Sequence, residues 1–381
     1  MKAIVLRMDG EQGFTELVEI DKPQIRFPTD VLIRVLRVGL DGTDREIIQE
    51  QYGIPPEGEN QLVIGHELLG AVVEAGEQSG YAQGDLVTAL VRRPCRHLDC
   101  VNCRNGQPDF CVTDEYTERG IKAAHGYLSE YVVVEAAYLV KLPPSCMDYG
   151  VLVEPQSIVE KVWHEVLRIQ QRMIWQPKTA LVIGSGPLGL LAAATCRSLG
   201  METYVWSLND PGSFSAELVR QCGARYMQAH EDGAERFGVE KGVRLDMVWE
   251  CSGYTPNAFH AMQALGNNGV LAMLGVTGDN RQQMLPVDRI NQELVMKNKC
   301  VIGSVNASRV DFETGVYRLQ QIEQQYPGLL QSIASDVCTI EQVPFIDFSR
   351  LNMKAVVDLV PPDQWESFIN PKSHIEYRFT V

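Results

Sequence analysis

The sequence predicts an α/β chain of two parts: a compact, partly barrel-like β domain in the N-terminal half and a doubly wound parallel sheet in the remainder. Three observations carry this. Residues 180–194 read A-L-V-I-G-S-G-P-L-G-L-L-A-A-A, an apolar strand entering G-x-G-x-x-G and passing straight into an Ala/Leu-rich helix. After it, residues 202–208, 224–229, 245–251, 269–276 and 299–305 are short segments, most of them apolar, with helix-like stretches between several, as βαβ units require. Before it, residues 3–6, 30–38, 69–75, 85–90 and 127–134 read as short alternating strands set off by turn signals, with helices nearly absent.

At 381 residues the chain is long for one hydrophobic core, so two domains are expected. Its first residues, Met1-Lys2-Ala3-Ile4-Val5, hold only a brief apolar run before Arg7 and Asp9 and read as a first strand, not as the apolar region of a signal peptide. No apolar run is long enough to span a bilayer, so no membrane anchor is expected and a cytoplasmic setting is. A net charge of −15 and a pI near 5.0 argue against sequence-independent nucleic-acid binding, which needs a basic face.

Of the ten cysteines, Cys146, Cys196, Cys222, Cys251, Cys300 and Cys338 are scattered, mostly in apolar surroundings, and read as small core residues. The other four, Cys95, Cys100, Cys103 and Cys111, have the spacing C-x4-C-x2-C-x7-C. Four thiolates in one loop match a closed tetrahedral zinc site of structural type. His97 lies among them, but four sulfurs already complete the shell.

A second constellation is spread further apart. Asp41 follows a strand, His66 and Glu67 follow another in G-H-E-L-L-G, and Glu154 lies in V-E-P near the junction of the two parts. Asp41, His66 and Glu154 offer two carboxylates and an imidazole, with a fourth position for Glu67, water or substrate, which is what a catalytic metal requires. Spacing alone leaves a plainer reading open: Asp41 a turn residue, His66 a satisfied core histidine, Glu154 a helix-start carboxylate.

In the second part, Gly184, Gly186 and Gly189 permit a sharp turn, close approach of backbone N–H groups to a pyrophosphate, and tight packing of helix on strand, with Pro187 fitting the helix start. With Ser185 and Leu188 they form the expected dinucleotide-binding turn of a Rossmann domain. The second strand ends in Ser207-Leu208-Asn209-Asp210, where an acid or an arginine ordinarily chooses between a free ribose and a 2′-phosphate. Asn209 or Asp210 suits a free ribose, so the expected cofactor is NAD or NADP with a lean to NAD. Arg220 and Arg225 offer another approach to a phosphate. Leu274, Gly275, Val276, Ser304, Val305 and Asn306 are expected on the nicotinamide side.

G-H-E-x-x-G at 65–70, the four-cysteine loop and G-S-G-P-L-G, in this order, resemble the zinc-dependent medium-chain alcohol dehydrogenase superfamily. D-G-T-D-R-E at 41–46, E-Y-T-E-R-G-I at 115–121, V-E-P at 153–155 and G-S-V-N at 303–306 are most similar to the microbial glucose dehydrogenases of archaeal and halophilic type. The resemblance implies a GroES-like catalytic domain over 1–155 and 306–381, with the zinc loop at about 93–112, and a Rossmann domain over 156–305. It implies one catalytic zinc on Asp41, His66, Glu67 and Glu154, and one structural zinc on the four cysteines. In most relatives a cysteine stands where Asp41 is, so the site here is harder and richer in oxygen. Thr43, Glu118, Glu154 and Asn306 match positions that hold sugar hydroxyls, whereas Ile158 replaces a polar sugar contact of some members. The implied reaction moves hydride from C1 of an aldose to the nicotinamide, giving a lactone, with Glu67 or Thr43 and water carrying the proton. A polyol or threonine dehydrogenase of the same superfamily, or a nucleotide-binding protein without catalysis, are the alternatives. A homodimer or homotetramer is the implied assembly.

Overall fold

A computed structural model describes residues 1–9, 12–50, 53–229, 242–276 and 282–371. The chain divides into two compact units. One comprises Met1–Ser157, Asn306–Leu319 and the segment from Ala334; the other comprises Ile158–Val305 and Gln320–Ile333. The C-terminal return is therefore interrupted, because Gln320–Ile333 is assigned to the second unit.

The first unit is built on strand β3 (Asp30–Leu40), in which nearly every side chain is buried. On one side it pairs antiparallel with β5 (Glu67–Ala75), which leads through β6 (Leu86–Ala89) to β11 (Leu139–Leu142). On the other side lies β19 (Ala355–Asp358), with β18 (Asp336–Thr339) parallel beyond it, and β10 (Tyr131–Glu135) also pairs with β3. β1 (Lys2–Asp9) forms a second sheet with β2 (Gln12–Glu19) and β4 (Gln61–Val63). A small third sheet joins β7 (Arg92–Arg93), β8 (Thr117–Arg119) and β9 (Ala123–Ala124). Ile4, Ile33, Val35, Ile64, Leu68, Val87 and Tyr127 are among the residues that fill the core between these elements.

One element departs from the sequence reading. The stretch after β3 is a nine-residue helix, α1 (Gly42–Glu50), where helices were expected to be nearly absent. The Asp41 carboxylate accepts the Thr43 N–H at 2.8 Å and the Asp44 N–H at 3.2 Å, satisfying two orphan donors of the first turn. Ile47 is fully buried and packs in the core.

The second unit carries six parallel strands: β12 (Thr179–Ile183), β13 (Glu202–Ser207), β14 (Arg225–Gln228), β15 (Leu245–Glu250), β16 (Leu265–Met273) and β17 (Cys300–Gly303). Their order is β14-β13-β12-β15-β16-β17, so the direction of winding reverses between β12 and β15. That reversal opens a crevice at the carboxyl ends of the strands, where doubly wound sheets bind ligands. Among the described residues no helix is long and apolar enough to cross a membrane.

Described parts of the C-terminal stretch pack within the first unit. Trp365 is buried, its indole N–H donates to the Val360 carbonyl at 2.8 Å, and the Arg37 guanidinium lies 4.7 Å above its ring. Phe368 is partly buried, and Tyr377 lies outside the described residues.

Candidate active site

β3 and β5 deliver the central residues of the first unit. Gly39 on β3 pairs with Glu67, the first residue of β5, so the loop after β3 and the loop before β5 leave the sheet at the same end. Asp41 and His66 stand on those loops. Asp41 spends one carboxylate oxygen capping α1 and turns the other toward His66, 3.6 Å from its Nε2. On the opposite side of the ring, Nδ1 lies 3.4 Å from the fully buried Asp44 carboxylate. Glu154 is buried in the first turn of α3 (Val153–Gln170).

Two sets of potential ligand atoms meet at His66: Asp41, Asp44 and His66, and His66, Glu67 and Glu154, each set within 4.8 Å. The plainer readings of Asp41 as a turn residue and Glu154 as a helix-start carboxylate are accurate locally, and both side chains still face the imidazole cluster. Thr43, in the first turn of α1, is partly exposed.

Burial penalises every charge here, and neighbours decide the outcome. Burial works to raise Asp41, but the facing His66 and then Lys354 hold its carboxyl below the usual range. For His66 burial opposes the imidazolium, yet Asp44 and Asp41 lift it well above its ordinary value. Burial pushes Glu67 up to about 7 although Lys354 pulls the other way. Glu154 rises to about 8 through burial, opposed by His66 and reinforced by Glu67 and Asp41.

Three buried polar atoms of this cluster, Asp44 Oδ1, His66 Nδ1 and Glu67 Oε2, have no hydrogen-bond partner. Buried polar atoms ordinarily find partners. An oxygen-rich donor set with one imidazole, crowded carboxylates and an orphaned oxygen fits a divalent cation, and zinc accepts this N/O set. In this cluster, Asp44 and Lys354 are residues that the sequence did not single out. Asp44 sits one turn from Asp41 in D-G-T-D, a legible spacing; Lys354 is 287 positions from its partner Glu67 and gives no local signal.

Glu118 and Asn306 are brought together. One Glu118 oxygen accepts from Asn306 Nδ2 at 2.7 Å and from Arg92 Nε and Nη2 at 3.1 and 3.0 Å, all three residues being buried. Asn306 adopts φ = 60°, a left-handed conformation that asparagine tolerates. β8 reaches the His66 loop through Gly120, where a Cβ would stand 2.4 Å from the Gly65 carbonyl oxygen.

The four cysteines of the loop present their sulfurs within 4.8 Å of one another, and all are free thiols. Burial raises Cys111, but bonds from Thr113 outweigh it and bring the thiol to about 6, while burial pushes Cys103 up to about 12. His97 is exposed and bonds Glu115 at 2.6 Å, outside this cluster. A structural zinc fits the sulfur set.

In the second unit the glycine turn follows β12. Gly184 has φ = 104°, and a Cβ at Gly189 would lie 2.2 Å from the Gly184 carbonyl oxygen, so strand and helix touch there. A Cβ at Gly186 would meet nothing within 4 Å. Gly186 is the N-cap of α4 (Pro187–Ser198), with Pro187 in its first turn, and the open space before that helix start suits a pyrophosphate. Leu188 is partly buried in the same turn.

At the end of β13 the hydroxyls gather. Ser185 Oγ donates to Ser207 Oγ at 2.9 Å, and Asn209 Nδ2 donates to Ser185 and Ser215 at 3.1 and 2.8 Å. Leu208 is exposed. Arg225 pairs with Glu202 at 3.1 Å, and Arg220 donates to the Pro211 carbonyl. After β16 and β17, Leu274 and Gly275 donate their N–H groups to Glu250, Val276 and Val305 are exposed, and Ser304 carries a buried hydroxyl without a partner.

Residues 147–359 match the family model for the glucose dehydrogenase C-terminus, and 27–144 match that for the alcohol dehydrogenase GroES-like domain. The glucose 1-dehydrogenase of Methanocella arvoryzae is 40% identical over 90% of this chain and 95% of its own length. That of Metallosphaera sedula is 34% identical over 94% and 98%. Haloferax mediterranei glucose dehydrogenase, solved in complex with NADP, Zn and gluconolactone, superposes with a TM-score of 0.86 at 31% identity, covering 95% of this chain and 100% of that one. Galactitol-1-phosphate dehydrogenase of Escherichia coli, at 20% identity and a TM-score of 0.76, shares the fold. The chain belongs to the glucose dehydrogenase family, within the zinc-dependent medium-chain alcohol dehydrogenase superfamily.

Proposed function

We propose that the protein is a zinc-dependent glucose 1-dehydrogenase, oxidising C1 of D-glucose or a related aldose to the aldonolactone with NAD(P)+. The observation that carries it is the joint presence in the first unit of the His66 carboxylate cluster and the Glu118–Asn306–Arg92 network. Both the relatives named glucose 1-dehydrogenase and the gluconolactone complex of the halophilic enzyme support the sugar as substrate.

Asp41, His66 and Glu154 would hold the catalytic zinc, with Glu67 beside it. Bound there, zinc supplies Lewis acidity that makes a sugar hydroxyl more acidic, and the nicotinamide accepts the hydride. Asp41 holds a charge-bearing oxygen toward His66 because its other oxygen is fixed on the α1 backbone. Asp44 places a carboxylate 3.4 Å from Nδ1 at the far side of the imidazole, a charge that favours the ring in this position. Glu67 takes up a proton at Oε2 or passes it through Thr43 and water. Glu118 accepts from, and Asn306 donates to, hydroxyls of the sugar. The four cysteines hold a structural zinc. NAD is favoured because Leu208 and Asn209 put no fixed charge beside the ribose and Arg225 is engaged by Glu202. A homodimer or homotetramer, in a cytoplasmic setting, is the assembly that this reading carries.

The test is nicotinamide reduction with glucose, galactose, xylose and sorbitol against both coenzymes, before and after chelation. Chelator-sensitive activity on an aldose is expected. Activity on sorbitol alone overturns the sugar assignment of Glu118 and Asn306, and activity untouched by metal removal overturns the metal site.

A further inference from the structure

The buried pair of Glu67 and Lys354 points beyond the ligand set. Lys354 Nζ donates to Glu67 Oε1 at 2.6 Å and faces the Leu40 carbonyl at 3.4 Å. Both side chains are almost wholly buried, at 3% and 0% exposure, so no water competes for either charge. The other Glu67 oxygen has no partner, and Glu67 belongs with His66 and Glu154 to one group of residues that could hold a metal. Glu67 is thus held by one oxygen on an ammonium, while its other oxygen is left without a partner in the same cluster.

The backbone is shaped for this pair. Lys354 precedes β19, whose first residues pair with Leu40 and Gly39 of β3, while Glu67 opens β5 on the other side of β3. The two side chains meet over Gly39, where a Cβ would stand 1.9 Å from Glu67 Oε2 and 2.9 Å from Lys354 Cε. Glycine there leaves the space both groups occupy. The buried carboxylates of Asp44, Glu67 and Glu154 and the partly exposed one of Asp41 gather around His66 in two groups, and the Lys354 ammonium is buried against Glu67.

We propose that Lys354 is a positioning residue that restrains Glu67 from full ligation, keeping one coordination position of the catalytic metal open for the sugar hydroxyl. A dication flanked by three carboxylates would otherwise draw in all of them, and a saturated shell is that of a structural site. The bond from Lys354 competes for the Glu67 carboxylate and offsets its charge, so Glu67 gains less by joining the shell and the open position is retained. The inference rests on the metal-site reading above.

The test compares wild type, Lys354→Met and Lys354→Gln, each alone and combined with Glu67→Gln, by zinc titration against a chromophoric chelator and by the visible spectrum of the cobalt-loaded protein. Lys354→Gln keeps a donor without the charge and serves if the Met variant does not fold. Without Lys354, zinc is expected to bind about tenfold more tightly, the order for removing one charge near a dication in a partly screened site. The cobalt absorption weakens as Glu67 joins the shell, kcat falls, and KM for glucose changes little. In the Glu67→Gln background the charge effect on zinc affinity persists, but the same substitutions leave the cobalt spectrum unchanged. Weaker zinc binding, or an unaltered cobalt spectrum, in both Lys354 variants overturns the proposal, because a merely structural lysine loosens the site. Failure of the wild type to bind zinc at the His66 cluster overturns the metal-site reading itself and is distinguishable from either result.

Discussion

Asn306 offers a way to separate a hydrogen bond from a backbone preference. Its Nδ2 donates to the buried Glu118 carboxylate at 2.7 Å, and its φ is 60°. A hydrogen bond to a charged group contributes about 1.5–3 kcal/mol net. A left-handed conformation costs a residue with a Cβ about 1 kcal/mol more than it costs glycine or asparagine. Asn306→Gly should lose only the bond, about 2 kcal/mol, and Asn306→Ala both contributions, about 3 kcal/mol, measured by urea unfolding with an unchanged m-value. Glu118 then keeps Arg92 but loses the restraint on its sugar-facing side, and a site built to hold hydroxyls loses a donor. KM for glucose should rise about tenfold or more in both variants, the equivalent of 1.4 kcal/mol. Equal stability of the two variants refutes the backbone argument. An unchanged KM in both refutes the role of Asn306 at the sugar.

Metal-free protein should lose stability as pH rises. Glu67 and Glu154 have folded pKa values of about 7 and 8 against an ordinary 4.5, and His66 is raised above 6.5. The folded state therefore binds more protons than the unfolded one from about pH 4.5 upward, and stability present below the unfolded values drains away as pH climbs through the folded ones. Asp41 is shifted the other way, but its unfolded titration lies below this window. The melting temperature of the metal-free protein should fall from pH 5.5 to 8.5, and zinc should reverse the trend; a flat or rising profile contradicts the buried-carboxylate account. Gly39→Ala should displace Glu67 or Lys354 and cost about 1–3 kcal/mol by overpacking, with kcat depressed; wild-type turnover would show the space to be dispensable. Cys103→Ser should remove one zinc per chain by elemental analysis and lower the melting temperature, leaving the zinc at the His66 cluster in place. Asn209→Arg should shift preference toward NADP+ if the Ser207–Asn209 turn reads the ribose, and an unchanged coenzyme ratio places that reading elsewhere.

The doubly wound sheet was legible because its cues are local. The apolar run before Gly184, the glycines themselves and the short apolar segments after them each depend only on neighbours in the chain. The cysteine loop was legible for the same reason. Helix α1 was not read, although Asp41 stands in the N-cap position with Ile47 and Ile48 one to two turns on, because D-G-T-D reads equally as a turn. The metal cluster was legible only as separated candidates, since nothing in the spacing of Asp41, His66 and Glu154 states that β3 and β5 pair at Gly39 and Glu67. Lys354 and Arg92 were beyond reach altogether. Glu67 lies 287 positions from Lys354 and Glu118 26 positions from Arg92, each brought in by strand pairing, and an isolated basic residue in a sequence gives no sign that it is buried.

The central claim is that this chain removes hydride from C1 of an aldose. It is tested most directly by incubating the zinc-loaded protein with glucose deuterated at C1 and an oxidised nicotinamide coenzyme, and weighing the reduced coenzyme by mass spectrometry. The account predicts one deuterium in the coenzyme and a lactone as product, both abolished when the metal is removed. Reduced coenzyme without deuterium, or none formed from glucose while a polyol is oxidised, would contradict it.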